Sequence, residues 1–163
     1  MSEKRGIVLD TLARMGIEYE LWEHPAVYTI EEMDALPLKR PDVIAKNLFL
    51  RDAKGKRHFL VVLKKEKSAR LDQLQEQLGS TKLSFASAER LDRFLGLEKG
   101  AVTPFGVLND EARAVEVVLD SDLMEQDLIG VHPNENTATV VLKPADLLRV
   151  LEEHGNPVKQ LHI

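Results

Sequence analysis

The amino-acid sequence predicts an α+β fold, a single compact domain with a curved mixed or antiparallel sheet flanked by helices. Three observations predict it. Amphipathic helical periods and β-branched alternating runs share the chain without the strict strand-helix-strand alternation of a parallel α/β fold. At 163 residues the length suits about one domain with one core. No repeat, low-complexity tract or linker divides it, so one domain over 1–163 is expected.

The elements follow from local chemistry. Val8, Leu12 and Met15 fall at helical spacing over residues 3 to about 15, with Gly16 placed as a C-cap. IEYELWEH, 17–24, alternates as a strand. Thr29 with Glu32 forms a capping-box signature for a short helix over 30–35 that Pro37 stops. VIAKNLFLRD, the turn AKGK and RHFLVVLKK read as a β-hairpin from about 42 to 64. Leu71, Leu74 and Leu78 predict a helix ended by Gly79, and KLSF a short strand. Ser87 is the N-cap of a helix through Leu91, Phe94 and Leu95 that stops at Gly96. AVEVVLD (114–120) and TATVVLK (137–143) are strands, and Pro144 opens a last helix with Leu147, Leu148 and Leu151 inward and Gly155 after it.

Composition narrows the function classes. Cysteine is absent, which excludes disulfides, thiolate metal sites and a cysteine nucleophile. The first sixteen residues lack a signal-peptide core, and no apolar run approaches the roughly 18 residues that span a bilayer. A soluble, cytoplasmic protein with no membrane partner is expected. The net charge of -5 is unevenly placed: residues 39–70 hold eleven Lys or Arg against three acids, a local +8 that leaves -13 elsewhere. That segment is either a face for a polyanion or a solvated hairpin whose lysines blunt edge pairing, and charge alone leaves both open.

Candidate chemistry is sparse. Period two puts Lys46 in a row with Ile44, Leu48 and Leu50, where an ammonium must either snorkel to an edge or meet an anion. Asn47 points to the opposite face. KGAVTPFGVLND, 99–110, is a glycine-bearing loop whose amides could cradle an oxygen, although its spacing matches no phosphate loop. LIGVHPNENTATVVL, 128–142, interrupts an apolar run with seven polar-rich positions, read either as a hairpin loop held by Asn and Thr turn chemistry or as a functional loop. The five histidines show no close ligand spacing, so no metal site and no cofactor are expected.

EHPAVYTIEEM (23–33), VIAKNLFLRD (43–52), GAVTPFGVLND (100–110) and GVHPNENTATV (130–140), in this order, closely resemble the free-standing prolyl-tRNA editing proteins, the ProX branch of the YbaK superfamily. The resemblance spans essentially the whole chain. It implies a YbaK-like editing-domain fold and removal in trans of a wrong amino acid, most of all alanine, from mischarged tRNA(Pro). It also implies site residues. Lys46 would hold the terminal nucleotide beside the ester. His132 would orient the substrate amine or an attacking water, with Gly130 and Asn134 in the same Gly-His-Pro-Asn loop. Gly100, Ala101, Thr103 and Pro104 would form the opposing wall, offering amides to the developing oxyanion. Ile30 would filter size, and Asn47 would complete the substrate contacts. The implied mechanism needs no protein nucleophile, because the neighbouring ribose hydroxyl helps to activate water. Arg51, Lys54, Lys56, Arg57 and Lys64 are the expected acceptor-stem contacts, and prolyl-tRNA synthetase or an elongation factor the expected presenter. Clearance of cysteine or serine, and non-catalytic binding of tRNA ends or aminoacyl ligands, are the competing readings.

Overall fold

In the computed structural model, which describes residues 3–163, the β-branched runs become the centres of two sheets. The elements run α1 (Glu3–Arg14), β1 (Glu20–Glu23), α2 (Ile30–Asp34), β2 (Ala45–Arg51), β3 (His58–Lys64), α3 (Leu71–Leu78), β4 (Ser84–Phe85), α4 (Ala88–Leu95), β5 (Val115–Asp120), α5 (Ser121–Met124), β6 (Ile129–Val131), β7 (Ala138–Leu142), α6 (Pro144–His154) and β8 (Val158–Leu161). The larger sheet has the order β4-β2-β3-β5-β8, antiparallel across β4-β2-β3 and parallel across β3-β5-β8. The smaller is antiparallel, β1-β7-β6. One parallel bridge, Ile44 to Gly130, joins them.

Phe59 to Leu63 is an unbroken apolar run, and a strand that reads so must be covered on both faces. It is. Leu60 and Val62 share the main core with Phe49, Val117 and Leu119, under Val8 and Leu12 of α1, Leu91 and Leu95 of α4, and Leu147, Val150 and Leu151 of α6. Phe59, Val61 and Leu63 face the other way, with Leu50 and Val118, onto Leu74 and Leu78 of α3. The caps act where the sequence places them. The Thr29 hydroxyl accepts from the Glu32 amide, the Ser87 hydroxyl from the Arg90 amide, and Gly79, Gly96 and Gly155 end their helices in the left-handed region.

Four differences have local causes. The strand expected over 17–24 is confined to Glu20–Glu23, where β7 supplies a partner; Ile17 is buried ahead of it. Residues 104–109, expected as loop, form a buried 3-10 helix opened by Pro104 and capped by the Thr103 hydroxyl. In α6 the fully inward position is Val150, while Leu148 packs at the rim. β8 was not anticipated, because VKQL lacks an apolar run and becomes a strand only by docking beside β5. No helix among the described residues is long and apolar enough to cross a membrane.

His58, at the start of β3, is 1 % exposed and lies between Phe49 and Phe94, with ring centroids 5.7 and 3.9 Å away. Its Nε2 accepts from Arg90 Nη1 at 3.1 Å, and burial, reinforced by the Arg90 charge, pushes its pKa down to about 4. A depressed imidazole contributes stability that is complete above the unfolded value near 6.5 and is lost as pH falls towards about 4. Urea unfolding should therefore show stability declining over this interval by up to roughly 3 kcal/mol. His58→Phe, which cannot ionise, should flatten that decline; an unchanged slope would contradict the assignment.

Candidate active site at the seam between the sheets

Where β2 leaves the larger sheet and β6 leaves the smaller, the chain encloses a cavity of about 160 Å³. Its walls come from four places. The entry to β2 supplies Ile44 to Asn47, α2 and its approach supply Val27 to Ile30 and Met33, β6 and β7 supply Gly130 to His132 and Thr139, and the glycine loop supplies Gly100 and Val102.

Two glycines are demanded here. A Cβ on Gly130 would sit 2.9 Å from Ile44 Cδ1 and 3.2 Å from Thr139 Cγ2, closing the space between the sheets. Gly100 has φ +94, and a Cβ there would meet the Tyr28 ring at 2.6 Å. Tyr28 itself is 64 % exposed at the mouth.

The 132–137 loop is held by Asn136 of its own and by side chains from elsewhere in the fold. Thr103 Oγ1 donates to the His132 carbonyl at 2.6 Å, Asn136 Nδ2 to the Val27 carbonyl at 2.7 Å, and the Arg5 guanidinium to Glu135 and Glu23. The loop closes the β6-β7 hairpin, and its first residue lines the cavity. His132 Nδ1 lies 2.8 Å from the Ala138 carbonyl, which can only accept, so Nδ1 carries the proton and Nε2 keeps its lone pair. Burial, with the neighbouring His24 ring 6.0 Å away, holds its pKa below the ordinary value against the opposing Ala138 bond. His24 in turn has Nδ1 at 2.9 Å from the Pro25 carbonyl and Nε2 at 2.9 Å from Thr139 Oγ1. By the same logic the Thr139 hydroxyl donates to His24, leaving its lone pairs as acceptors on the cavity wall.

Lys46 does not wait unpaired. It is half-buried, lines the cavity, and donates from Nζ to the Lys67 carbonyl at 2.8 Å, which leaves two N–H donors. Lys67 is held in place through its own ammonium, which binds Asp120, Asp122 and the Ile163 carbonyl. Asn47 also lines the cavity, and its Oδ1 is buried with no partner among the described residues, an acceptor whose desolvation is uncompensated.

Of the expected site residues, Ile30, Lys46, Asn47, Gly100, Gly130 and His132 meet around this one cavity. Ala101, Thr103, Pro104 and Asn134 lie behind the wall, all buried. The expected amide cradle needs correcting. The Ala101 amide is committed to the Glu98 carbonyl at 3.0 Å and Pro104 has no N–H, so neither can donate to an oxyanion. Asn134 has φ +63 and both side-chain polar atoms buried without partners, which identifies a strained loop position and not a wall contact. Thr139, Tyr28 and Val102 were not foreseen. Alternation in TATVVL says that Thr139 opposes Val140, and only the second sheet decides that its side is the cavity.

The basic segment is redistributed by tertiary pairing. Arg40 binds Asp42 and Asp127, Arg57 binds Glu116, Lys64 binds Glu66, Lys65 binds Asp34, and Lys67 binds Asp120 and Asp122. Of the expected RNA contacts, Arg57 and Lys64 each already hold a carboxylate. Arg51, Lys54 and Lys56 lie at the far end of the hairpin. From Asn47, the last residue of β2 on the cavity, to Arg51 is four strand steps, roughly 13 Å.

Comparison with known proteins agrees with this geometry. Residues 24–150 match the family model described as an aminoacyl-tRNA editing domain. The chain is 51 % identical over 156 residues to the prolyl-tRNA editing protein ProX of Acetoanaerobium sticklandii, covering 96 % of this chain and 95 % of that one. It is 40 % identical to the prolyl-tRNA synthetase associated domain-containing protein 1 of Danio rerio, covering 87 % and 78 %. A solved structure described as a proposed trans-editing enzyme for prolyl tRNA synthetase superposes with a TM-score of 0.75 at 23 % identity, covering 100 % of this chain and 99 % of that one, a likeness of fold.

Gly130→Ala should cost about 1–3 kcal/mol in urea unfolding, because the added methyl must displace Ile44 and Thr139. An unchanged midpoint would show that the seam is not tightly packed there.

Proposed function

The chain belongs to the aminoacyl-tRNA editing domain family, and from that premise we propose that it is a trans-editing deacylase that hydrolyses the ester of mischarged tRNA(Pro), with alanine the amino acid removed. The observation that carries the substrate class is the size and lining of the cavity. At about 160 Å³ it is well below the roughly 300–1,000 Å³ of pockets that enclose whole drug-sized ligands. It suits the aminoacyl end of the ester, with the nucleotide outside. Val27, Ile30, Met33 and Ile44 line the part of the cavity in which we place the substrate's side chain, and in this reading they favour a methyl over the bulkier pyrrolidine ring.

In this reading the two remaining N–H donors of Lys46 hold the terminal nucleotide beside the ester. Thr139 Oγ1 is an acceptor for the substrate's ammonium or hydroxyl protons, while Asn47 Oδ1, buried within the wall, stays behind it. A water attacks the ester carbonyl carbon and passes a proton to the lone pair on His132 Nε2 or, through the neighbouring ribose hydroxyl, to the leaving oxygen. The carbon–oxygen bond to the ribose then breaks, releasing a free amino acid and an intact tRNA end. The need for such an enzyme is physical. A synthetase pocket shaped for proline rejects a smaller side chain by only one or two orders of magnitude, so a second, smaller sieve is required. The setting is the cytoplasm, with prolyl-tRNA synthetase or an elongation factor handing over the substrate.

Purified protein should release free alanine from alanyl-tRNA(Pro) and leave prolyl-tRNA(Pro) intact in a deacylation panel; hydrolysis of neither would overturn the proposal. Lys46→Ala should lose most turnover with its circular dichroism unchanged, and wild-type clearance by that variant would remove Lys46 from the site. Because the working form of His132 is neutral and its pKa is held low, kcat should stay flat as pH falls to about 6.5 and drop only below it. An acidic limb above that value would exclude His132 as the proton acceptor.

A further inference from the structure

Among the described residues, a cluster of cations that ion pairs leave uncompensated lies at the far end of the β2-β3 hairpin. Gly55, at φ +68 in the turn, is flanked by two guanidinium groups. A Cβ built there would lie 2.8 and 2.9 Å from Arg90 Nη2 and Nη1 and 3.0 Å from Arg51 Nη2. These groups are held by neutral acceptors alone: Arg51 by the carbonyls of Asp52 and Ala53, Arg90 by the Gly55 carbonyl and His58 Nε2. Arg93 stands beside them, its guanidinium 4.9 Å from the Phe94 ring that stacks on His58. Lys54 and Lys56 are exposed on the turn, and Lys82 is exposed next to Thr81, whose hydroxyl accepts from the Ala53 amide.

Among the described residues none of these six cations has a carboxylate within 4.0 Å. Asp52, the turn's own acid, is buried, with Oδ1 taken by the amides of Lys56 and Arg57. Glu89 and Asp92 share α4 with the arginines without pairing to them. Convergent, oriented and unpaired guanidinium groups are an arrangement for phosphate. Beside them Phe85 is 63 % exposed on edge strand β4, where the register sets Ser84 against Arg51. An open aromatic among cations offers a stacking face as well.

We infer that this face, built from Arg51, Arg90, Arg93, Lys54, Lys56 and Lys82 with Phe85, binds the RNA phosphate backbone of the tRNA body while its aminoacyl end occupies the cavity. The inference rests on the deacylase reading for its partner, since a nucleic acid whose end enters the cavity still carries phosphates roughly 13 Å and more farther on. An acidic protein offers no such fixed spacing from an ester.

The test is the exposed double variant Lys82→Glu/Arg93→Glu. It is assayed for binding of uncharged tRNA by fluorescence anisotropy across salt, and for hydrolysis of alanyl-tRNA(Pro) and of an alanyl ester on a short single-stranded acceptor-end oligonucleotide. Expected are a KM on tRNA raised at least tenfold with kcat retained, a salt slope smaller by about 2, and unchanged turnover of the short ester. A tRNA affinity and KM within twofold of wild type would overturn the inference, whatever the protein hydrolyses. Equal wild-type affinity for polyglutamate and tRNA would overturn the choice of RNA. Binding of tRNA that the variant loses, with no hydrolysis of either ester by the wild type, would support this face and reject the deacylase.

Discussion

The molecule depends on the contact between Ile44 and Gly130, a single parallel bridge where two sheets with separate strand orders meet. Because Gly130 carries no side chain, Ile44 can lie against it, and the sheets approach closely enough to share one core on one side and to enclose a cavity on the other. Every wall of the site is referred to this seam. Lys46 and Asn47 follow Ile44 along β2, and His132 follows Gly130 along β6. A sheet that ran continuously through this point would have no cavity; one that diverged further would let in bulk water and weaken each electrostatic contact inside.

Charge is organised by the same economy of partners. The cations between residues 39 and 70 include some held by acids from distant parts of the chain, one that enters the cavity, and three left open at the hairpin end. Lys67 links the first two groups. Its ammonium satisfies the buried Asp120 while its carbonyl receives the ammonium of Lys46, so the orientation of the cavity cation is tied to the C-terminal end of the fold through Ile163. At the opposite end of the larger sheet, His58 stays neutral between two phenylalanine rings and can therefore accept a proton-donor contact from Arg90.

The cavity's chemistry is one of position and not of a potent side-chain nucleophile. Two histidines have Nδ1 against backbone carbonyls, His132 against Ala138 and His24 against Pro25, and of the two His132 lines the cavity. The cost of this arrangement is visible in Asn47 and Asn134, the buried side-chain polar groups without partners among the described residues. Preorganised acceptors and donors of this kind act on charge that develops at a bound ester, with little reorganisation at the moment of reaction.

Much of this was legible in the residues alone. Thr29, Ser87, Gly79, Gly96 and Gly155 mark helix ends by local hydrogen bonding and backbone freedom, which need no tertiary partner, and the hairpin and its Lys46 anomaly follow from period two. What the tertiary structure alone decided was pairing across distance. The division into two sheets, the parallel docking of β8, the placement of Thr139 on the cavity side and the capture of Arg57 by Glu116 all join groups far apart in sequence, and local periodicity carries no information about which surfaces will meet. Lys46 shows both halves of the lesson: alternation revealed a cation among aliphatic neighbours, and only folding supplied the Lys67 carbonyl that makes its burial tolerable.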